Sequence, residues 1–143
     1  MKEELLNADR LRRMTAEKEA QKASEALRKL KAEQQEEQHR REMFMSGKIT
    51  DDMIARLMSR LQRAADDGRN ELLIGTFPSA WCIDGGRAIN NTEPDWPASL
   101  PGVGKEFYEF FERELKPRGF KLRVEIMNFP HGLPGDVGAY VSW

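Results

Sequence analysis

Three hydrophobic rhythms run along the chain. From Lys2 to about Met45 apolar residues are sparse, nothing breaks a helix, and Ala, Glu, Lys, Gln, Arg and Leu dominate. Summed over that length, these propensities predict one continuous polar helix, on the order of 65 Å long. A four-three spacing picks out a seam of Ala16, Ala20, Ala23, Leu27 and Leu30, followed by Gln34, Glu37, Arg41 and Phe44. Only about two heptads of the seam are apolar, short of what a self-sufficient coiled coil needs. Three readings stay open: a solvated helix, a short oligomerising or partner-binding contact, or contact with RNA or membrane through Arg10, Arg12, Arg13 and Lys18. Opposite charges at Glu25–Lys29, Glu36–Arg40 and Glu37–Arg41 have the spacing that supports a helix. His39 lies off the seam among charges and reads as exposed.

After Ser46-Gly47 the rhythm changes. Ile54, Leu57, Met58, Leu61, Ala64 and Ala65 form an amphipathic stripe, with Thr50 placed to cap the helix and Asp51 and Asp52 in its first turn. Gly68 stands where such a helix ends. The stripe reads as core. Glu71 to Phe77 carries the uninterrupted run Leu72-Leu73-Ile74, which predicts a strand buried on both faces and therefore central. A second helix is expected over Gly104–Leu115, with Phe107, Phe110, Phe111 and Leu115 on one side, stopped by Lys116-Pro117-Arg118-Gly119.

A period of two then sets in. Phe120, Leu122, Val124 and Ile126 alternate with Lys121, Arg123 and Glu125, and Val137, Ala139, Val141 and Trp143 alternate again beyond the turn at 130–136. The order helix, strand, helix, strand, strand predicts an α+β domain. A crossover would set the first strand parallel to the second, giving a three-stranded mixed sheet with helices on one face.

Composition sharpens the boundary. All eleven glycines, all seven prolines, all three tryptophans and both tyrosines fall in 47–143. The chain is expected to split into a helical arm, 1–46, and a compact domain, 47–143. Net charge is -1, which offers no electrostatic reason for nucleic acid or an anionic membrane as main partner. A single cysteine points to a reducing, cytoplasmic setting. No apolar run approaches the ~20 residues that span a bilayer, and the first residues lack the apolar core of a signal peptide.

Candidate chemistry gathers in 77–97, FPSAWCIDGGRAINNTEPDWP, too rich in Gly, Pro, Asn and Asp for a strand and too rich in Trp for a linker. It predicts an ordered loop with a helical turn at Arg87–Asn91. Asp84, Gly85, Gly86 and Arg87 suggest a backbone nest with an arginine fork for a carboxylate or phosphate. The competing reading is structural: Arg87 pairs with Asp84 or Asp95, while Asn90 and Asn91 cap backbone groups. Trp96 either plugs the loop to the core or presents an anchor to a partner. Cys82 and His131 are the obvious nucleophile–base pair to test, at a spacing without signature. His39, Cys82 and His131 lack the close pairs of a zinc site, and Asp84, Glu93, Asp95 and Asp136 lack the spacing of a calcium loop. Neither a metal nor a cofactor is implied. Arg113, Lys116, Arg118, Lys121 and Arg123 form a basic cluster without exposed aromatics between them, a weak pattern for single-stranded nucleic acid.

The motifs DGGRAINN (84–91), EPDWP (93–97) and PGDVG (134–138) together resemble a group of short, uncharacterised bacterial proteins with a similar C-terminal half. The resemblance covers roughly 71–143 and implies no catalytic residues. The expected function is a non-enzymatic cytoplasmic interaction or assembly module. Its helical arm would dock to a protein partner or drive weak homo-oligomerisation, and its 84–97 loop would make the specific contact. The alternative is a small anionic-ligand-binding protein or small enzyme with Arg87 as the clamp.

Overall fold

The computed structural model describes residues 4–143. It divides into two units, the first ending at residue 40 and the second spanning 41–143.

The long helix α1 runs from Ala8 to Ser46. Its predicted start at Lys2 lies outside the described residues, and residues 4–7 are not helical. Asn7 sets the beginning: its side chain accepts the backbone N–H of Arg10 at 2.8 Å, as a capping residue does. At the far end Ser46 turns its hydroxyl back onto the carbonyl of Glu42. A Cβ at Gly47 would lie 2.7 Å from the carbonyl oxygen of Met43. No residue of α1 is buried. The expected pairs Glu25–Lys29, Glu36–Arg40 and Glu37–Arg41 do not close. Exposed pairs of this kind gain a few tenths of a kcal/mol at most, so solvated rotamers compete with them.

In the second unit, α2 (Asp51–Asp66) begins as expected, with Thr50 Oγ1 accepting the N–H of Met53 at 3.2 Å. Gly68 follows its C-cap Asp67, with a φ of 79° that suits glycine. Only Leu61 and Ala64 of its stripe are buried; Ile54 and Leu57 are half-buried, and Met58 and Ala65 are exposed. The stripe is core at one end only. The other end borders an open cleft.

The sheet corrects the predicted topology. Strands β1 (Glu71–Pro78), β2 (Lys121–Ile126) and β3 (Asp136–Ser142) lie in the order β1-β3-β2, and both neighbouring pairs are antiparallel. The sheet is therefore not mixed. β1 and β2 do share a direction, but β3 sits between them, so no parallel pair forms. β1 is consequently an edge strand rather than the central one. Its register slips between Leu73 and Gly75, which breaks the alternation of its apolar run. Val137 and Val141 of β3 are fully buried and mark the true centre. β2 and β3 are joined by a loop that Asn128 pins, donating to Asp136 Oδ2 at 3.2 Å and accepting the N–H of Asp136 at 2.9 Å.

Helices cover one face of the sheet. Phe110 closes α4 (Gly102–Phe110), and Phe111 and Leu115 follow in a wider turn; all three are buried, with Leu122 packed against them. Phe77, Cys82, Ile89, Leu100 and Val137 form a second cluster, against which Phe44, Trp81 and Trp96 pack. Phe44 stands 5.0 Å from Phe77 and 5.2 Å from Trp81, ring centre to ring centre. The single aromatic of α1 thus packs on the second unit's core. The opposite face carries Tyr140 with the Arg123 guanidinium 4.1 Å above its ring, and Arg123 reaches Glu71 at 2.7 Å and Glu125 at 2.6 Å.

Candidate functional site

The loop after β1 is built around a short carboxylate. Asp84 accepts the backbone N–H of Gly86 at 3.0 Å and that of Ala88 at 2.9 Å, and so holds the single helical turn α3 (Arg87–Asn90) in place. Gly85 and Gly86 both adopt positive φ, 70° and 88°. Gly86 is also a packing requirement, because a Cβ there would fall 2.8 Å from the Cβ of Ser79. Ala88 and Ile89 are buried beneath the turn.

The predicted nest is therefore filled by its own aspartate. The Gly86 N–H points at Asp84 and the Gly85 N–H donates to the Cys82 carbonyl at 3.2 Å, so an external anion would find Arg87 without them. Nor does Arg87 act as a structural clamp: it is exposed, and among the described residues its side chain has no ion pair or hydrogen bond to Asp84, Asp95 or any other group. Asn90, Asn91 and Asp95 are exposed likewise, and neither asparagine side chain caps a backbone group. Trp96 is the loop's anchor, half-buried and edge-on to Tyr108 at 5.5 Å. Of the eight predicted site residues, Asp84, Gly85 and Gly86 shape the backbone, Trp96 secures it, and Arg87, Asn90, Asn91 and Asp95 are displayed to solvent.

Cys82 is buried at the base of this loop, and burial, assisted by the nearby Asp84 charge, pushes its thiol up from about 9 to about 11. A thiol held protonated at neutral pH is a poor nucleophile. His131 is exposed at a φ of 54° in the β2–β3 loop, with no hydrogen bond to Cys82. Among the described residues no group of three or more His, Cys, Asp or Glu is placed to hold a metal ion. No described helix is long and apolar enough to cross a membrane.

The feature that residue patterns did not single out is a cleft of about 320 Å³ between α2, α4 and the sheet. Met53, Ile54 and Leu57 line it from α2, Phe107 and Tyr108 from α4, and Ile74 and Val124 from the sheet, with Phe44 also contributing. Arg56 and Arg60 stand among the lining residues, but both are engaged. Arg56 pairs with Asp52, and Arg60 donates to the carbonyls of Leu73 at 2.8 Å and Ile74 at 3.2 Å. Arg60 thus satisfies the carbonyls at the slip in β1. The cleft lining is left mainly apolar. Its volume is at the lower end of ligand-sized clefts, about 300–1,000 Å³. A sequence signal existed: α2 has more apolar residues than the sheet buries, and Met53 and Met58 remain 39% and 38% exposed. Tyr108 joins the two features, touching Trp96 of the loop and lining the cleft. Burial and the Glu112 carboxylate raise its hydroxyl above the ordinary tyrosine value.

No family model matches the chain, and neither a curated protein nor a solved structure is significantly similar to it.

Proposed function

We propose that this chain is a non-enzymatic interaction module of the cytoplasm, in which α1 is a docking arm and the second unit grips an apolar segment of a protein partner. The apolar cleft between α2 and α4 carries the reading. Apolar surface left open beside a packed core is what interaction sites have and solvated surfaces rarely keep. A small polar substrate finds few hydrogen-bonding groups inside it, because Arg60 and Arg56 are already paired. The 84–97 loop supplies the directional part of the contact: Arg87, Asn90, Asn91 and Asp95 stand on a backbone held by Asp84 and Trp96. Side chains presented on a rigid loop lose little freedom when a partner arrives.

The test uses the full chain as bait in a lysate of its native cell, beside Met53→Glu and Arg87→Ala variants. Both residues are exposed, so each variant should melt within about 0.5 kcal/mol of the parent stability. Met53→Glu is expected to lose the partner outright and Arg87→Ala to weaken its recovery several-fold. Equal recovery by all three would remove the cleft from the account.

A further inference from the structure

We infer that the partner of α1 is a second copy of α1, running antiparallel and centred between Ala23 and Leu27. This inference rests on the reading of α1 as a docking arm and names what it docks to.

The seam extends towards the start of α1. Followed back by the same four-three spacing, it includes Arg13 and Asp9, both exposed like every described residue from 4 to 42. Leu27 and Leu30 are 54% and 51% exposed, so among the described residues nothing covers the apolar centre. Four seam positions are charged: Asp9, Arg13, Glu37 and Arg41. Their order, acid-base and then acid-base again, discriminates between arrangements. In a parallel, in-register pair each of the four would face its own copy, and like charges would meet at four layers. In the antiparallel pair centred between 23 and 27, Asp9 faces Arg41 of the second copy and Arg13 faces its Glu37. Every charged layer becomes an opposite pair, the way seam charges select orientation in paired helices.

Size agrees with charge in the same register. Ala23 faces Leu27 of the second copy and Ala20 faces its Leu30, so small and large side chains alternate across the contact and can interdigitate. Ala16 meets Gln34. Shifting one helix by a heptad would set Arg41 against Ala16 and Glu37 against Ala20, which buries charge without a partner. The flanking positions do not help. Glu17 attracts Lys31 of the second copy, while Arg12 faces Arg40 and Glu19 faces Glu33. Within one chain Asp9 is already 3.0 Å from Arg12, so Arg41 must share it. These terms keep the pair weak, with a dissociation constant on the order of 100 µM given so short an apolar seam.

Sedimentation equilibrium of the full chain up to about 1 mM tests it. The parent should move from monomer towards dimer with concentration. Arg13→Glu sets two carboxylates face to face in the antiparallel pair and should weaken association about tenfold. Adding Glu37→Arg to the same chain should restore it. In a parallel pair these changes only exchange one like-charge layer for another, so no loss and rescue would appear. Mixing Glu17→Cys chains with Lys31→Cys chains under mild oxidation should give the mixed disulfide in preference to either self-linked product. A strictly monomeric chain, loss without rescue, or preferential self-linking overturns the inference. If the chain is monomeric but Leu27→Asp abolishes capture of another protein, the docking reading survives and the second copy does not; if capture also persists, both fall.

Discussion

The two parts of this molecule use apolar side chains in opposite ways. In α1 up to residue 40, leucines lie on a helix with no buried residue. In 41–143 the same residue types close a core around Val137 and Val141. Both regions are helix-rich, so helix content does not distinguish them; what differs is whether a helix has something to cover. An exposed helix keeps its backbone hydrogen bonds but gains nothing from packing, and most helical stability in proteins comes from packing. Stability therefore belongs to 41–143, while the leucines of α1 up to residue 40 stay exposed.

Truncating one large side chain in each region should give the largest contrast. Phe111 is 4% exposed beside Phe110 and Leu115. Phe111→Ala should cost about 3–5 kcal/mol, whereas Leu27→Ala should shift stability by less than about 0.5 kcal/mol. Chemical denaturation of both variants at low concentration measures the contrast. Comparable losses would mean that α1 is not the bystander described.

A smaller effect locates the boundary. A fragment starting at residue 41 keeps Phe44 against Phe77 and Trp81; one starting at 47 loses it. Because Phe44 is only half-buried, the loss should be about 2 kcal/mol, below the range for a fully buried phenylalanine. For a domain of this size that is roughly 10 °C in melting temperature. Equal melting of the two fragments would move the boundary back to Gly47.

A further effect, confined to alkaline pH, probes the base of the loop. The folded chain holds the Cys82 proton to about pH 11, while an ordinary thiol releases it near 9. Over that window the unfolded chain binds fewer protons, so folding stability must fall as pH rises. Cys82→Ala removes this contribution, and the parent should lose stability relative to that variant between pH 9 and 11. Parallel pH profiles would show that the thiol is not shielded.

Local signals made much of this fold legible. Thr50 and Gly68 bounded α2 because caps and left-handed glycines are local requirements, and Arg87–Asn90 formed the expected turn. The strand order was not legible. Leu72, Leu73 and Ile74 looked central because a run of apolar residues cannot show that its register slips. The strand that is central, β3, was expected as a strand, but the alternation of Val137, Ala139 and Val141 carries no mark of its place in the order. The candidate loop was located, but the role of Asp84 was not, since which group a carboxylate accepts from depends on a backbone path set by Gly85 and Gly86. The cleft depends on three elements distant in sequence, and only the surplus of apolar residues on α2 hinted at it.

The most direct measurement is amide hydrogen exchange of the full chain, followed segment by segment at low and high protein concentration. Amides in α1 before residue 40 should exchange orders of magnitude faster than those of Val137–Val141 at about 1 µM, since opening there disrupts no core. At about 1 mM, protection should rise along the α1 seam and leave β3 unchanged. If α1 is protected as strongly as β3 in dilute solution, or gains nothing with concentration, the division between a stable core and an associating arm is contradicted.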